Sequence, residues 1–439
     1  REPLLIEPPV TTSKYGIGLP LLYVPGILLS ANFQAYFGRP TPNMNYQHLY
    51  NDTVYTLAGA PIHLLATALT AYLIARFCRR LGLGNAAALW GFALFAIGSP
   101  ALIYARGDFT QPLICMLWMA GMHAALGYRQ TGRRRDALWC AFCAGYAILT
   151  RPQEGAMLVP ALLAIALPHL NPRRYARREW AAILAVGGGA ALGVAITLLV
   201  NRARYGTWLA TGYVGEGWLN PFWNGLKGLL ATPAHGLLWA FPALALAPAG
   251  LWILWKGRQR AVASVFAALI VVMIWSMSLW FMWWGGESWG PRLILPTLPL
   301  LAVLAGAALG RLGRTARACL GGALLLAGLA WSIPGVLTDI LAGYSQLVNS
   351  PLATFDLEGL PLVSAWRFLD RALATSLTDN RTIDILWLRL AQTTRGLSLI
   401  PMLACLGGSA WLLRRLVRGV RQTQPAGVSR EGAAETFSH

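Results

Sequence analysis

Residues 261–292 read AVASVFAALIVVMIWSMSLWFMWWGGESWGPR. The stretch from Ala261 to Trp284 carries no charge. As an α-helix rising 1.5 Å per residue, a run of that length exceeds the roughly 30 Å hydrocarbon core of a bilayer. It ends in a tip where Trp280, Trp283, Trp284 and Trp289 surround Glu287 and Arg292. Trp180 to Val200 is a second run without charge. Across 439 residues, 56% are hydrophobic and only 12% charged. A soluble domain carries about a quarter charged residues. These features imply an all-α, polytopic membrane protein. A β-barrel would instead show alternating segments of about ten residues.

Eleven transmembrane helices are expected, at about 57–76, 87–105, 110–127, 137–150, 153–170, 180–201, 237–255, 261–284, 293–310, 318–335 and 396–413. The fourth and fifth are short. Only Arg151 and Pro152 separate them, which reads as a helical hairpin with its tip in or near the membrane. The expected organisation is an outer N-terminal segment at 1–56 with a surface helix, then a transmembrane core at 57–335. An outer amphipathic region at 336–395, a last transmembrane helix at 396–415 and a basic tail at 416–439 follow. The apolar run at 13–25 contains Pro20 and Pro25 and suits a surface helix better than a span.

The net charge of +19 does not point to nucleic acid, because the arginines lie in short clusters between apolar runs. Alternate connections and the tail hold 22 of the 36 Lys and Arg and only 4 of the 17 Asp and Glu. Such loops face the cytoplasm. The other connections, GGESWGPR among them, then face outward, as does the N-terminal stretch. An outer N-terminus implies a further helix ahead of Arg1. Cys140 and Cys143 form a CxxC inside an apolar segment, where small packing residues are the expected role.

Charge at a membrane boundary is costly when unpaired, so the outer charged groups are candidates for function. They are Lys14 in SKYGIGLPLLYVP, Arg106 and Asp108 in YARGDFTQP, Arg151 and Glu154 in TRPQEG, and Glu287 with Arg292. Tyr15 and Tyr213, in the first and fourth outer stretches, join them as substrate-binding candidates. Each has a plainer reading. The tryptophans make an aromatic belt, Glu287 and Arg292 a local ion pair, and Arg106 and Asp108 a capped turn. Glu216 and His235 read as loop residues. Arg151 and Glu154 in an apolar hairpin are harder to explain by structure alone. Taken together, Arg and Lys beside carboxylates suit phosphate recognition, and a carboxylate suits general base or divalent-ion chemistry.

Five stretches resemble the GT-C superfamily of membrane glycosyltransferases. They are SKYGIGLPLLYVPGILL at 13–29, SPALIYARGDFTQPL at 99–113, ILTRPQEGAMLVPALL at 148–163, RYGTWLATGY with GLKGLLATPAHGLLWAFPAL within 204–243, and WWGGESWGPRLILPTLPLL at 283–301. The similarity is greatest to bacterial proteins related to protein O-mannosyltransferases and the aminoarabinose transferase of lipid A.

The resemblance implies transfer of a sugar from a polyprenyl-phosphate donor on the extracytoplasmic face of the bacterial inner membrane. It implies Lys14, Arg151 and Arg292 on the lipid phosphate, and Asp108 as a catalytic or metal-binding carboxylate, with Mg or Mn as the ion. The family's first acidic motif, after its first helix, has no counterpart here, since Glu2 and Glu7 precede SKYG without a helix ahead of them. The implied partners are a polyprenyl-phosphate-linked sugar, an acceptor, membrane lipids and other membrane subunits. A non-catalytic scaffold within a larger complex is the alternative, and a lipid-linked-sugar transporter the third reading.

Overall fold

The structure, a computed structural model, describes residues 15–37, 59–105, 109–169, 171–213, 216–233, 235–257, 259–286 and 288–337, with the isolated positions 407 and 414. The expectations for residues 1–14, for most of 336–395 and for the eleventh span and tail lie outside this set. Among the described residues every regular element is helical. The α-helices are α1 Gly18–Phe37, α2 Ala60–Arg80, α3 Gly84–Ala96, α4 Ala101–Tyr104, α5 Gln111–Thr131, α6 Arg134–Thr150 and α7 Pro152–Ala166. They continue as α8 Arg177–Tyr205, α9 Phe222–Ala231, α10 Leu237–Ala240, α11 Ala247–Lys256, α12 Arg260–Leu279, α13 Leu298–Gly310 and α14 Arg314–Leu337. Within the described set, five helices are long and apolar enough to cross a membrane: α2, α8, α12, α14, and α13 together with the 3-10 turn Arg292–Thr297 that leads into it.

The chain is an all-α membrane protein of several passes. Exposed Leu64, Leu184, Val271 and Leu326 are each more than 60% accessible on these helices. That apolar surface would be untenable in water and is ordinary against lipid. Two expected spans are broken. Segment 87–105 divides at Gly98-Ser99-Pro100 into α3 and the single turn α4. Segment 237–255 divides at Phe241-Pro242 into α10, a 3-10 turn and α11. Proline lacks the amide donor and disfavours helix in the residue before it, and both breaks obey that. The expected loop 202–236 contains a helix, α9, and α8 runs on to Tyr205.

The helix α13 is the axis of the bundle: 94% of its apolar window is buried, against 11% for α8 at the rim. Close approach is made through glycine. A Cβ on Gly145 of α6 would strike the Gly189 carbonyl of α8, and one on Gly193 would strike Gly145. Gly189 and Gly193 form a GxxxG, the spacing that lets membrane helices touch backbone to backbone. Gly306 of α13 sits equally close to Ala87 and Gly91 of α3.

The basic connections gather at one end. The Tyr128 hydroxyl donates to the Arg178 carbonyl at 2.6 Å, and Arg178 Nη2 to the Arg129 carbonyl at 3.4 Å. Gln130 reaches the Arg80 carbonyl at 3.4 Å, and Arg80 reaches the His123 carbonyl at 2.8 Å. Stacked Phe77 and Phe266 bring the start of α12 beside the end of α2, and Gly310 at the end of α13 abuts Ala87. The opposite helix ends, at 97–105, 109–111, 150–152, 205–213, 216–222, 279–286 and 288–298, form the other face of the bundle.

Gly189→Leu should force α6 and α8 apart and cost about 2 kcal/mol or more, read as lost folded yield and a lower melting temperature in detergent. Gly188→Ala should be neutral or stabilising by up to about 1 kcal/mol, because a Cβ there meets nothing within 4 Å. Equal effects in the two variants would contradict the packing described.

Candidate functional site

The site is built around the turn between α6 and α7. Pro152 bars helical geometry at Arg151, whose backbone is extended at φ −149° and ψ 101°. The chain reverses there, and Gly155 lies so near Ile148 that a Cβ would overlap its backbone. Arg151 Nε meets Glu154 Oε1 at 2.6 Å. Glu154 is 1% exposed and Arg151 18%. Glu154 occupies the first turn of α7, where the helix dipole favours negative charge. Its own carbonyl receives Trp118 Nε1 of α5 at 3.2 Å, so α5 holds the turn in place. Burial pulls the Arg151 pKa down, but its surroundings, Glu154 first among them, more than compensate and leave it raised.

The segment carrying Tyr15 docks on this turn. A Cβ on Gly16 would strike the carbonyls of Leu149 and Thr150, and one on Gly18 the Thr150 hydroxyl. The Tyr146 hydroxyl donates to the Gly18 carbonyl at 2.8 Å, and Arg204 Nη1 donates to the Tyr15 carbonyl at 2.9 Å. Exposed Leu21, Leu22, Val24 and Leu28 place α1 on the bundle's surface, and it continues past Pro25 to Phe37.

Arg292 enters from the tryptophan tip. Its guanidinium lies over the Phe109 ring at 4.7 Å from the centroid, and its side chain packs against Gly285. Among the described residues its buried Nε has no hydrogen-bond partner. The tip is held from three directions. The Tyr104 hydroxyl donates to the Trp289 carbonyl at 2.7 Å, His235 Nδ1 faces the Gly290 carbonyl at 3.3 Å, and Trp289 packs edge-on against Trp331. Gly290 has φ 67° and stands where a Cβ would enter Trp331, so only glycine fits. The tryptophans divide their work. Trp283 and Trp289 are buried, Trp284 packs on Trp283, and Trp280 joins Tyr213 and Trp218.

These pieces enclose one cavity of about 700 Å³. Tyr15, Arg151, Glu154, Tyr213 and Arg292 all line it, drawn from four separate places in the sequence, with Arg151 and Glu154 sharing one turn. Burial pushes the Tyr213 pKa up, and Arg151 pulls it partly back. Lys14, Arg106, Asp108 and Glu287 lie outside the described residues. Arg204, Asn201 and Gln111 are among the lining residues that sequence did not single out. Arg204 had a signal, as a basic residue closing a long apolar helix at the end otherwise poor in charge. Gln111 had none; it is 2% exposed, and its Oε1 has no partner among the described residues. Glu216, read as a loop residue, also lines the cavity. Among the described residues no three of His, Cys, Asp and Glu come together as metal ligands.

Chemically, the cavity pairs cationic groups at its base with apolar surface at its rim. Trp208, Leu209 and Trp218 line it and are each more than half exposed. Such a lining suits a molecule with an anionic head and an apolar tail.

Glu154→Ala should cost about 2 kcal/mol or more by leaving Arg151 without its counter-charge, while Arg151→Met/Glu154→Leu should recover much of that loss in a double-mutant cycle of melting temperatures. A second prediction concerns pH. Burial lowers His235 from an ordinary 6.5 to about 4. The unfolded chain therefore binds a proton that the folded chain refuses. Stability is complete above about pH 6.5 and falls as pH drops toward 4, by up to about 3 kcal/mol. His235→Gln should flatten that part of the profile, and an unchanged slope would refute the assignment.

No family profile matches this sequence, and no curated protein does. The chain is similar to two solved structures of ArnT from Cupriavidus metallidurans. To the apo state it is 18% identical, with a TM-score of 0.47, over 83% of this chain and 59% of that one. To the form bound to undecaprenyl phosphate it is 17% identical, with a TM-score of 0.45, over 92% of this chain and 62% of that one. The chain thus spans about three fifths of the length of the structures it matches.

Proposed function

We propose that this chain is a membrane glycosyltransferase of GT-C type, drawing its sugar from a polyprenyl-phosphate donor bound in the cavity on the extracytoplasmic side. The carrying observation is that Arg151 and Arg292, from separate elements, reach one cavity whose rim is exposed and apolar. An isoprenoid tail would lie along Trp208, Leu209 and Trp218, and the phosphate would reach the guanidinium groups. The bundle end opposite the basic connections carries the cavity, and the excess of basic residues on those connections supports reading the cavity end as the outer one.

In this reading an acceptor hydroxyl or amine attacks C1 of the sugar from the face opposite the phosphate. The C1–O bond to phosphate breaks, and its electron pair leaves with polyprenyl phosphate. The anomeric configuration inverts. Arg292 and Arg151 stabilise charge growing on the phosphate oxygens, a preorganised effect worth about 3–4 kcal/mol per donor in comparable sites. Glu154 is committed to Arg151 and acts by orienting it. The acceptor's proton passes to Asp108. A divalent ion, Mg or Mn, would be held by Asp108.

The test is transfer from radiolabelled polyprenyl-phosphate sugars by membranes carrying the full-length gene product. Asp108→Asn and Arg292→Ala should each abolish transfer at normal expression. Arg292→Lys should retain a small fraction, lowered about 10–100-fold, because an ammonium cannot present two parallel donors to phosphate. Full transfer in Asp108→Asn would remove that residue from the mechanism. No transfer from any donor, with the protein held by other membrane chains, would favour a scaffold.

A further inference from the structure

The basic end of the bundle carries more than a topology signal requires. Topology needs only positive charge near the membrane, whereas here three connections converge. The connection α2–α3 brings Arg79, the connection α5–α6 brings Arg129 and Arg133 to Arg135, and the connection α7–α8 brings Arg173, Arg174 and Arg177. Contacts across the connections fix their proximity. Tyr128 and Arg129 of α5 bond with Arg178, whose side chain covers Gly132, and Gln130 reaches the end of α2 at Arg80.

Arg80 and Arg178 are engaged in these contacts, but the other guanidinium groups of the patch are not. Among the described residues, Arg129, Arg133, Arg134, Arg135, Arg173, Arg174 and Arg177 have no carboxylate partner. The two acids within the patch are already occupied. Asp136 is buried and accepts from the Thr131 hydroxyl at 3.4 Å. Glu179 is buried, caps the Ala176 amide at 2.9 Å and contacts Arg178 at 3.7 Å.

A second, independent feature lies beside this charge. The first two turns of α6 and α8 emerge next to the arginines and expose Leu138, Trp139, Trp180 and Leu184. Trp180 stacks edge-on against Tyr175, which in turn stacks on His169. Tryptophan and tyrosine at this level mark the headgroup depth of a bilayer. Positive charge at headgroup depth above exposed apolar and aromatic side chains has the form of a phospholipid with an anionic head.

We propose that the converged connections α2–α3, α5–α6 and α7–α8 form a binding site for anionic phospholipid headgroups, with the acyl chains lying along the first turns of α6 and α8. The site is separate from the cavity and does not depend on the proposed transferase activity. Clustered Arg on a membrane-facing surface draws anionic lipid by charge, and several converged side chains prefer a doubly charged head such as cardiolipin to a single phosphate.

The test uses the purified full chain in nanodiscs of phosphatidylcholine with a minority of cardiolipin, followed by extraction and quantification of the lipid that stays with the protein. Wild type should retain cardiolipin well above its share of the bilayer. Replacing Arg133, Arg134, Arg173 and Arg174 together with Gln should reduce that enrichment about tenfold. Replacing Arg260, Arg311, Arg314 and Arg317 with Gln removes the same charge from other connections and should leave it nearly unchanged. Melting temperature and gel-filtration profile check that both variants remain folded. If the two sets lose cardiolipin equally, the effect is bulk charge and the site is refuted. No enrichment in wild type refutes it as well, as would displacement by inorganic phosphate at matched concentration, which would indicate a soluble-anion site.

Discussion

The reversal of the chain at Arg151 and Pro152 is the constraint on which the site depends. A bilayer-spanning helix cannot change direction inside hydrocarbon without leaving backbone groups unsatisfied. Here the reversal takes a single extended residue, because Pro152 has no amide N–H to satisfy and Arg151 donates its own amide to the Ala147 carbonyl at 2.8 Å. That economy lets Gly16 and Gly18 approach Thr150, lets Gly155 close on Ile148, and brings Glu154 under Arg151. With a longer loop, neither α1 nor the Arg151 guanidinium would stand where the cavity needs them.

The same helices give the bundle two chemically different ends. At one end short connections carry arginine and are tied together through backbone carbonyls, as Arg178 and Arg80 show. At the other, apart from the single-residue reversal at Arg151, the connections are long and aromatic, and they contribute to the wall of a cavity. Length is the physical difference. A connection of three residues between Arg80 and Gly84 can only turn, whereas residues 206–221 can lay Trp208, Tyr213 and Trp218 over a pocket.

Much of this was legible in the sequence. Charge-free runs announced the helices, and Arg151 and Glu154, conspicuous as charges in an apolar hairpin, form an ion pair that lines the cavity. The breaks at Pro100 and Pro242 were legible in principle but were overridden by the apolar composition around them. What sequence could not supply was convergence. Tyr15, Arg151, Tyr213 and Arg292 meet because glycines set the helix spacing, and a glycine's role in a helix interior is invisible without its neighbour. Gly188 and Gly189 are adjacent and identical, yet one faces open space and the other the α6 backbone. Gln111 was missed for the same reason, since nothing in its local sequence marks it as a lining residue.

Arg151 and Arg292 are not equivalent, and the difference bears on where a phosphate would sit. Arg151 already has a carboxylate at 2.6 Å, so the pair is close to neutral as a unit. Arg292 has, among the described residues, only the face of Phe109 at 4.7 Å. A desolvated cation–π contact is worth about 2 kcal/mol, while burying a guanidinium costs several. Arg292 therefore has uncompensated charge that an anion in the cavity would satisfy, and Arg151 has much less. Under the proposed reading the phosphate rests chiefly on Arg292, and the Arg151–Glu154 pair defines the wall against which the sugar is held. The tryptophan tip supports that division, because Tyr104, His235 and Trp331 all fix the backbone immediately before Arg292. A side chain that only anchored a helix end would not need its approach held from three sides.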